Sequence, residues 1–69
     1  MTRYQPGDDI IVEFHGNEFP GEVVRHSTHS GYVMAVITIT DPELDLGSIS
    51  ARLDPQPTVC VPEAKIRPA

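Results

Sequence analysis

The chain is poor in the things that usually hold or equip so small a protein. Cys60 is its only cysteine among 69 residues. An intrachain disulfide is therefore excluded, and a reducing compartment fits better than a secreted disulfide framework. Tryptophan is absent, and the aromatics are Tyr4, Phe14, Phe19 and Tyr32. Cations are scarce: Lys65 is the only lysine, and Arg3, Arg25, Arg52 and Arg67 are scattered along the chain. Ten acids against five bases leave a formal charge of -5. Nucleic-acid binding draws most of its free energy from Lys and Arg neutralising phosphates, so this balance argues against that class. No apolar run approaches a membrane span, and the opening MTRYQPGDD lacks the apolar stretch of a signal peptide. The expectation is a cytoplasmic protein with no membrane contact.

What is present points to strands. Residues 1–69 make one domain, which at this length buries only about 60% of its unfolded surface. An apolar content of 39% suits a folded rather than a disordered chain. Alternation with period two and β-branched enrichment dominate. Residues 9–14 set Ile10, Val12 and Phe14 on one face, and His15-Gly16-Asn17 follows as a turn in which Gly and Asn take positive φ. A second strand spans about 19–26, with Pro20 and Gly21 marking an edge, bulge or bend, and 27–31 (STHSG) turn the chain again.

Residues 32–40 are the strongest strand, and both its faces are apolar. Val33, Ala35, Ile37 and Ile39 lie on one side; Tyr32, Met34 and Val36 lie on the other. Such a strand needs cover on both sides. The loop 41–47 (DPELDLG) leads to residues 48–53, which read as a strand or as one helical turn N-capped by Ser48 and stopped by Pro55, the strand being favoured. Leu44, Leu46, Ile49 and Leu53 of this stretch are expected to cover the outer face of the third strand. A short strand at 58–61, a 3₁₀ turn at 63–65 and an extended end at 66–68 complete the pattern. The expected core is Ile10, Val12, Phe14, Val23, Val33, Ala35, Ile37, Ile39, Val59, Val61 and Ile66.

PGDDIIVEF at 6–14, GEVV at 21–24, YVMAVITI at 32–39 and VPEAKIRP at 61–68, taken together, resemble an SH3-like small barrel of the Tudor and KOW group. The Gly7-Asp8 pair opens the first strand and Gly21-Glu22-Val23 the second, as in that group. The resemblance implies an all-β fold, a barrel of about five strands, with 41–57 as an insertion before the last strands. In style the chain also resembles small bacterial or bacteriophage proteins. The group's binding modes transfer poorly. A Tudor cage needs several aromatic faces around a methylated cation, and Phe14 belongs to the expected core. KOW-type RNA binding is opposed by the acid excess. An SH3 groove for Pro-rich ligands features a tryptophan that this chain lacks.

The chemical constellations are thin. His26-x-x-His29, with His15 and Cys60 elsewhere, contains zinc-ligand types, but a lone HxxH without a matching pair reads as polar turn residues. Asp41-x-Glu43-x-Asp45 fails the calcium-loop template, which needs glycine where Leu46 stands and glutamate where Arg52 stands. Cys60 lies inside Val59-Cys60-Val61, where a small buried thiol is the ordinary expectation. A domain of this size rarely encloses a substrate pocket. No catalytic residue, cofactor or metal is expected.

The leading expectation is a non-catalytic protein-interaction module that binds a protein partner or self-associates through Tyr32, Met34 and Val36. The alternatives are a nucleic-acid-binding barrel using Arg25, Arg52, Lys65 and Arg67, which must then converge on one face, and an acidic mimic that occupies a DNA-binding protein.

Overall fold

The computed structural model describes residues 4–47 and 49–69. Five antiparallel strands follow the sequence pattern: β1 (Asp9–Phe14), β2 (Asn17–Ser27), β3 (Tyr32–Ile37), β4 (Thr58–Pro62) and β5 (Ile66–Pro68), with a 3₁₀ turn at Glu63–Lys65 between the last two. Among the described residues there is no α-helix. The strands form one sheet in the order β4-β3-β2-β1-β5. Among the described residues β4 and β5 each pair with a single neighbour, so these hydrogen bonds do not close the sheet into the expected barrel.

The β1–β2 hairpin is tight, with Phe14 opposite Asn17. Its two loop residues, His15 and Gly16, both have positive φ, at 52° and 78°. That is the conformation whose twist suits a two-residue hairpin. Positive φ therefore falls on His15 and Gly16, not on Asn17, whose side-chain amide donates to the His15 carbonyl at 3.3 Å.

β3 ends at Ile37, earlier than the alternation through Thr40 suggests. Ile37 and Ile39 donate their N–H groups to the carbonyls of Pro57 and Pro55, while Thr38 donates to Pro20. Prolines accept but cannot donate in return, so the pairing beyond Ile37 is only half a ladder. Close approach of strands matters at Gly21, where a Cβ would lie 2.8 Å from the Val36 carbonyl oxygen.

The inner faces of all five strands build one cluster: Ile10, Val12, Val23, Val33, Ala35, Ile37, Val59, Val61 and Ile66, with Ile39 just beyond β3. Tyr4, Phe19 and Ile49 belong to it as well. Phe14, expected in the core, is only half-buried and packs against the cluster from outside. It sits at the tip of the hairpin, whereas Phe19 lies opposite the fully buried Val12 in mid-sheet.

The insertion also departs from expectation. Residues 49–53 form no strand. A lone bridge joins Asp45 to Ser50, supported by Leu46 N–H to Ile49 carbonyl at 2.8 Å and Ala51 N–H to Leu44 carbonyl at 3.0 Å. Leu53 and Asp54 then donate back to the Ser50 carbonyl, closing a turn. The reading of Ser48 as a helix N-cap falls outside the described residues. Ile49 enters the core and Leu44, Leu46 and Ala51 pack against it, while Leu53 is 87% exposed. The insertion thus covers the core rather than the outer face of β3.

Candidate functional site

A bulge decides which side chains reach the outer face of the sheet. β2 and β3 pair in register up to Val23 opposite Ala35, then slip by one residue at Val24, so that Arg25 stands opposite Met34 and His26 opposite Val33. Strict alternation from Val23 would turn Arg25 inward and His26 outward. The extra residue exchanges them, as a bulge does.

Inward-facing His26 is bonded at both ring nitrogens. Nδ1 accepts the Tyr4 backbone N–H at 3.2 Å, and Nε2 lies 2.7 Å from the Glu63 carboxylate. Its side chain is only 3% exposed, with the Tyr4 ring packed edge-on against it. The Tyr4 hydroxyl in turn donates to the Ile66 carbonyl at 3.3 Å. Reading His26 as a plain turn residue is therefore corrected: it clamps the N-terminal segment and the 3₁₀ turn to β2. The signal in the sequence was faint, a β-strand histidine two residues past paired valines.

The outer face carries the three residues expected to bind a partner. Tyr32, Met34 and Val36 stand opposite Ser27, Arg25 and Glu22 on β2, and opposite Pro62, Cys60 and Thr58 on β4. Tyr32 is 46% exposed, and Met34 and Val36 are half-buried. Cys60 is exposed, not buried, because Val59 and Val61 take the inward positions and leave it the outward one. A shallow groove of about 120 Å³ runs between Tyr32, Met34, Cys60 and Arg25. A wider one of about 420 Å³ lies beside Val36, with Asp9 and Glu22 in its wall.

The four cations of the nucleic-acid reading are distributed as follows. Lys65 is 3.3 Å from Glu13, and Arg67 grips Glu18 with both guanidinium nitrogens, one contact at 3.0 Å. These two share one shallow depression. Arg52 lies on the insertion, 3.8 Å from Glu43. Arg25 is on the outer face beside Met34 and has no ion-pair partner among the described residues. Three of the four thus face carboxylates of the chain itself.

The acidic insertion is occupied with its own turns. Asp41, Asp45 and Asp54 accept the backbone N–H groups of Glu43, Gly47 and Gln56 through Oδ1, at 2.9, 3.0 and 3.0 Å. Among the described residues no group of three or more His, Cys, Asp or Glu side chains is gathered around a point that a metal ion would take. No helix among them is long and apolar enough to cross a membrane. No protein-family model, no curated protein and no solved structure matches the chain.

Proposed function

We propose that this chain is a non-catalytic, cytoplasmic protein-interaction module whose binding surface is the outer face of β2, β3 and β4. The observation that carries the reading is the apolar stripe of Tyr32, Met34 and Val36 on the outer face of β3, with Tyr32 exposed and Met34 and Val36 half-buried. The insertion, the longest stretch between strands among the described residues, packs against the core instead. A tyrosine and a methionine beside a shallow groove suit a protein surface: both offer large adaptable apolar contact, and the tyrosine keeps a polar tip. The acid excess favours encounter with a basic partner. Five antiparallel strands with an insertion before the last two support taking the fold as an SH3-like small barrel of the Tudor and KOW kind.

The test is affinity capture from the source cell with the wild type and with a Tyr32→Ser/Met34→Ser double variant, each checked for folding by circular dichroism. A partner held by the wild type and lost from the folded variant supports the reading. Equal capture by both overturns it. Retention of nucleic acid with a steep salt dependence, unchanged in the variant, would move the function to the alternative class.

A further inference from the structure

The two end strands of the sheet are protected unequally. β5 carries Arg67, held by Glu18, ends at Pro68, and is preceded by Lys65. Charges and prolines on an edge are ordinary protection against pairing with another chain. β4, with sequence TVCVP, likewise ends at a proline, Pro62, but has no charged residue.

The outward polarity of β4 follows from its bonding to β3. Val33 pairs with Val61 and Ala35 with Val59. Flanking them, the Glu63 N–H donates to the Gly31 carbonyl at 2.9 Å and the Ile37 N–H to the Pro57 carbonyl at 3.0 Å. Bonded pairs alternate in an antiparallel ladder, so positions 57, 59, 61 and 63 face β3. The N–H and C=O of Thr58 and Cys60, and the C=O of Pro62, therefore face away from β3, on an edge that no other strand among the described residues pairs with.

We infer that this edge pairs with the same edge of a second copy of the chain, antiparallel, about a two-fold axis at Cys60. The inference rests on the interaction-module reading and names the partner and the register. Symmetry argues for a second copy: the outward positions 58, 60 and 62 are evenly spaced about Cys60. With Cys60 opposite its counterpart, each Cys60 N–H meets a carbonyl, and each Thr58 N–H meets the Pro62 carbonyl across the axis. The donor missing at Pro62 falls opposite an acceptor, the Thr58 carbonyl, and no N–H is orphaned. Sliding the register by two residues brings in Gln56, whose N–H is already taken by Asp54, or Ala64 within the 3₁₀ turn. An edge without charge also spares two acidic chains from opposing like charges at the contact.

The two Cys60 side chains then meet on the outer face. Their Cα atoms stand about 5.5 Å apart, as in any bonded antiparallel pair, within the ~4.4–6.8 Å that a disulfide spans. Association does not need the disulfide, which serves as a probe.

The experiment uses the full chain. Under reducing conditions, sedimentation over a concentration series should show the mass rising from 7.6 kDa to twice that value. Cys60→Ser should still dimerise, and Cys60→Lys, which sets two charges on the axis, should abolish the dimer while leaving the strand signal in circular dichroism. Register is read by diamide oxidation, in which two thiols lose two protons and two electrons to the diazene, giving a disulfide and a hydrazine. In a Cys60→Ser background, Thr58→Cys mixed with Pro62→Cys should cross-link, and Thr58→Cys alone should not. Three results overturn the inference: a monomer at every concentration, self-cross-linking of Thr58→Cys, or a dimer that survives Cys60→Lys. A dimer of that last kind, lost in Tyr32→Ser, leaves the outer-face reading standing. A monomer that still captures a protein through Tyr32 and Met34 does the same.

Discussion

His26 Nε2 lies 2.7 Å from the Glu63 carboxylate and ties β2 to the 3₁₀ turn across 37 positions of chain. Because Nδ1 accepts the Tyr4 N–H, the ring proton resides on Nε2, which donates to Glu63. Replacing His26 by alanine removes the acceptor for that N–H and leaves a void beside the Tyr4 ring. The loss should be about 2–4 kcal/mol in urea unfolding. Glu63→Ala should cost less, about 1 kcal/mol, because water reaches the half-exposed carboxylate and can replace it. Equal losses would contradict the clamp as drawn.

The two phenylalanines should separate sharply. Phe19 is 6% exposed and faces Val12, whereas Phe14 caps the hairpin tip and is half-buried. Phe19→Ala should cost about 3–5 kcal/mol, enough to unfold most of the population of so small a domain. Phe14→Ala should cost clearly less, since part of its ring already meets water and its other contact is the exposed His15 ring. Thermal melts of the two variants side by side decide the order.

That exchange of roles marks where reading the sequence stops. Alternation places the inward residues of β3 and β4, and Ile10 and Val12 of β1, because each strand is an unbroken run whose inward residues are mostly β-branched. The final turn and β5 are legible from Pro62 and Pro68. Alternation cannot see where along a strand the core lies, so Phe14 and Phe19 look alike. Nor can it see the slip at Val24, which turns His26 into the protein and sets Arg25 beside Met34. The outer stripe of Tyr32, Met34 and Val36 is legible as apolar, but what covers it depends on the path of the insertion, which between Asp41 and Asp54 is held by short-range turn bonds without a repeating pattern.

Glu18 and Arg67 link stability to pH. The guanidinium, first by hydrogen bonding and then by charge, holds the Glu18 carboxyl below its ordinary range, and the carboxylate raises Arg67 in return. A carboxyl lowered in the folded state contributes stability above its unfolded pKa, about 4.3, and loses it as pH falls through the folded value. Both side chains are exposed, so the contribution is small and screened by salt. Arg67→Ala should therefore lower the melting temperature slightly at neutral pH. The gap should close in strongly acidic buffer and shrink in ~1 M salt. In an NMR titration, the Glu18 carboxyl carbon of the variant should titrate at higher pH than in the wild type. An unchanged midpoint would mean that the pair does not persist in solution.

The insertion provides a control for every claim about association. Ile49 is 7% exposed within the core, and Leu44 and Leu46 lean on the same cluster, whereas Leu53 points into solvent. Ile49→Ser removes most of a buried aliphatic side chain and sets a hydroxyl in an apolar cluster. The expected loss is about 2–5 kcal/mol. It acts within one chain, so the unfolding midpoint of Ile49→Ser should fall by the same amount at every protein concentration. Leu53→Ser should stay within ~0.5 kcal/mol of the wild type. Cys60→Lys should behave the opposite way. Its midpoint should match the wild type at high dilution, where both are monomers, and fall behind it as concentration rises and only the wild type gains from pairing. If Ile49→Ser instead recovers stability at high concentration, Ile49 lies in a contact between chains, and the insertion does not cover its own core.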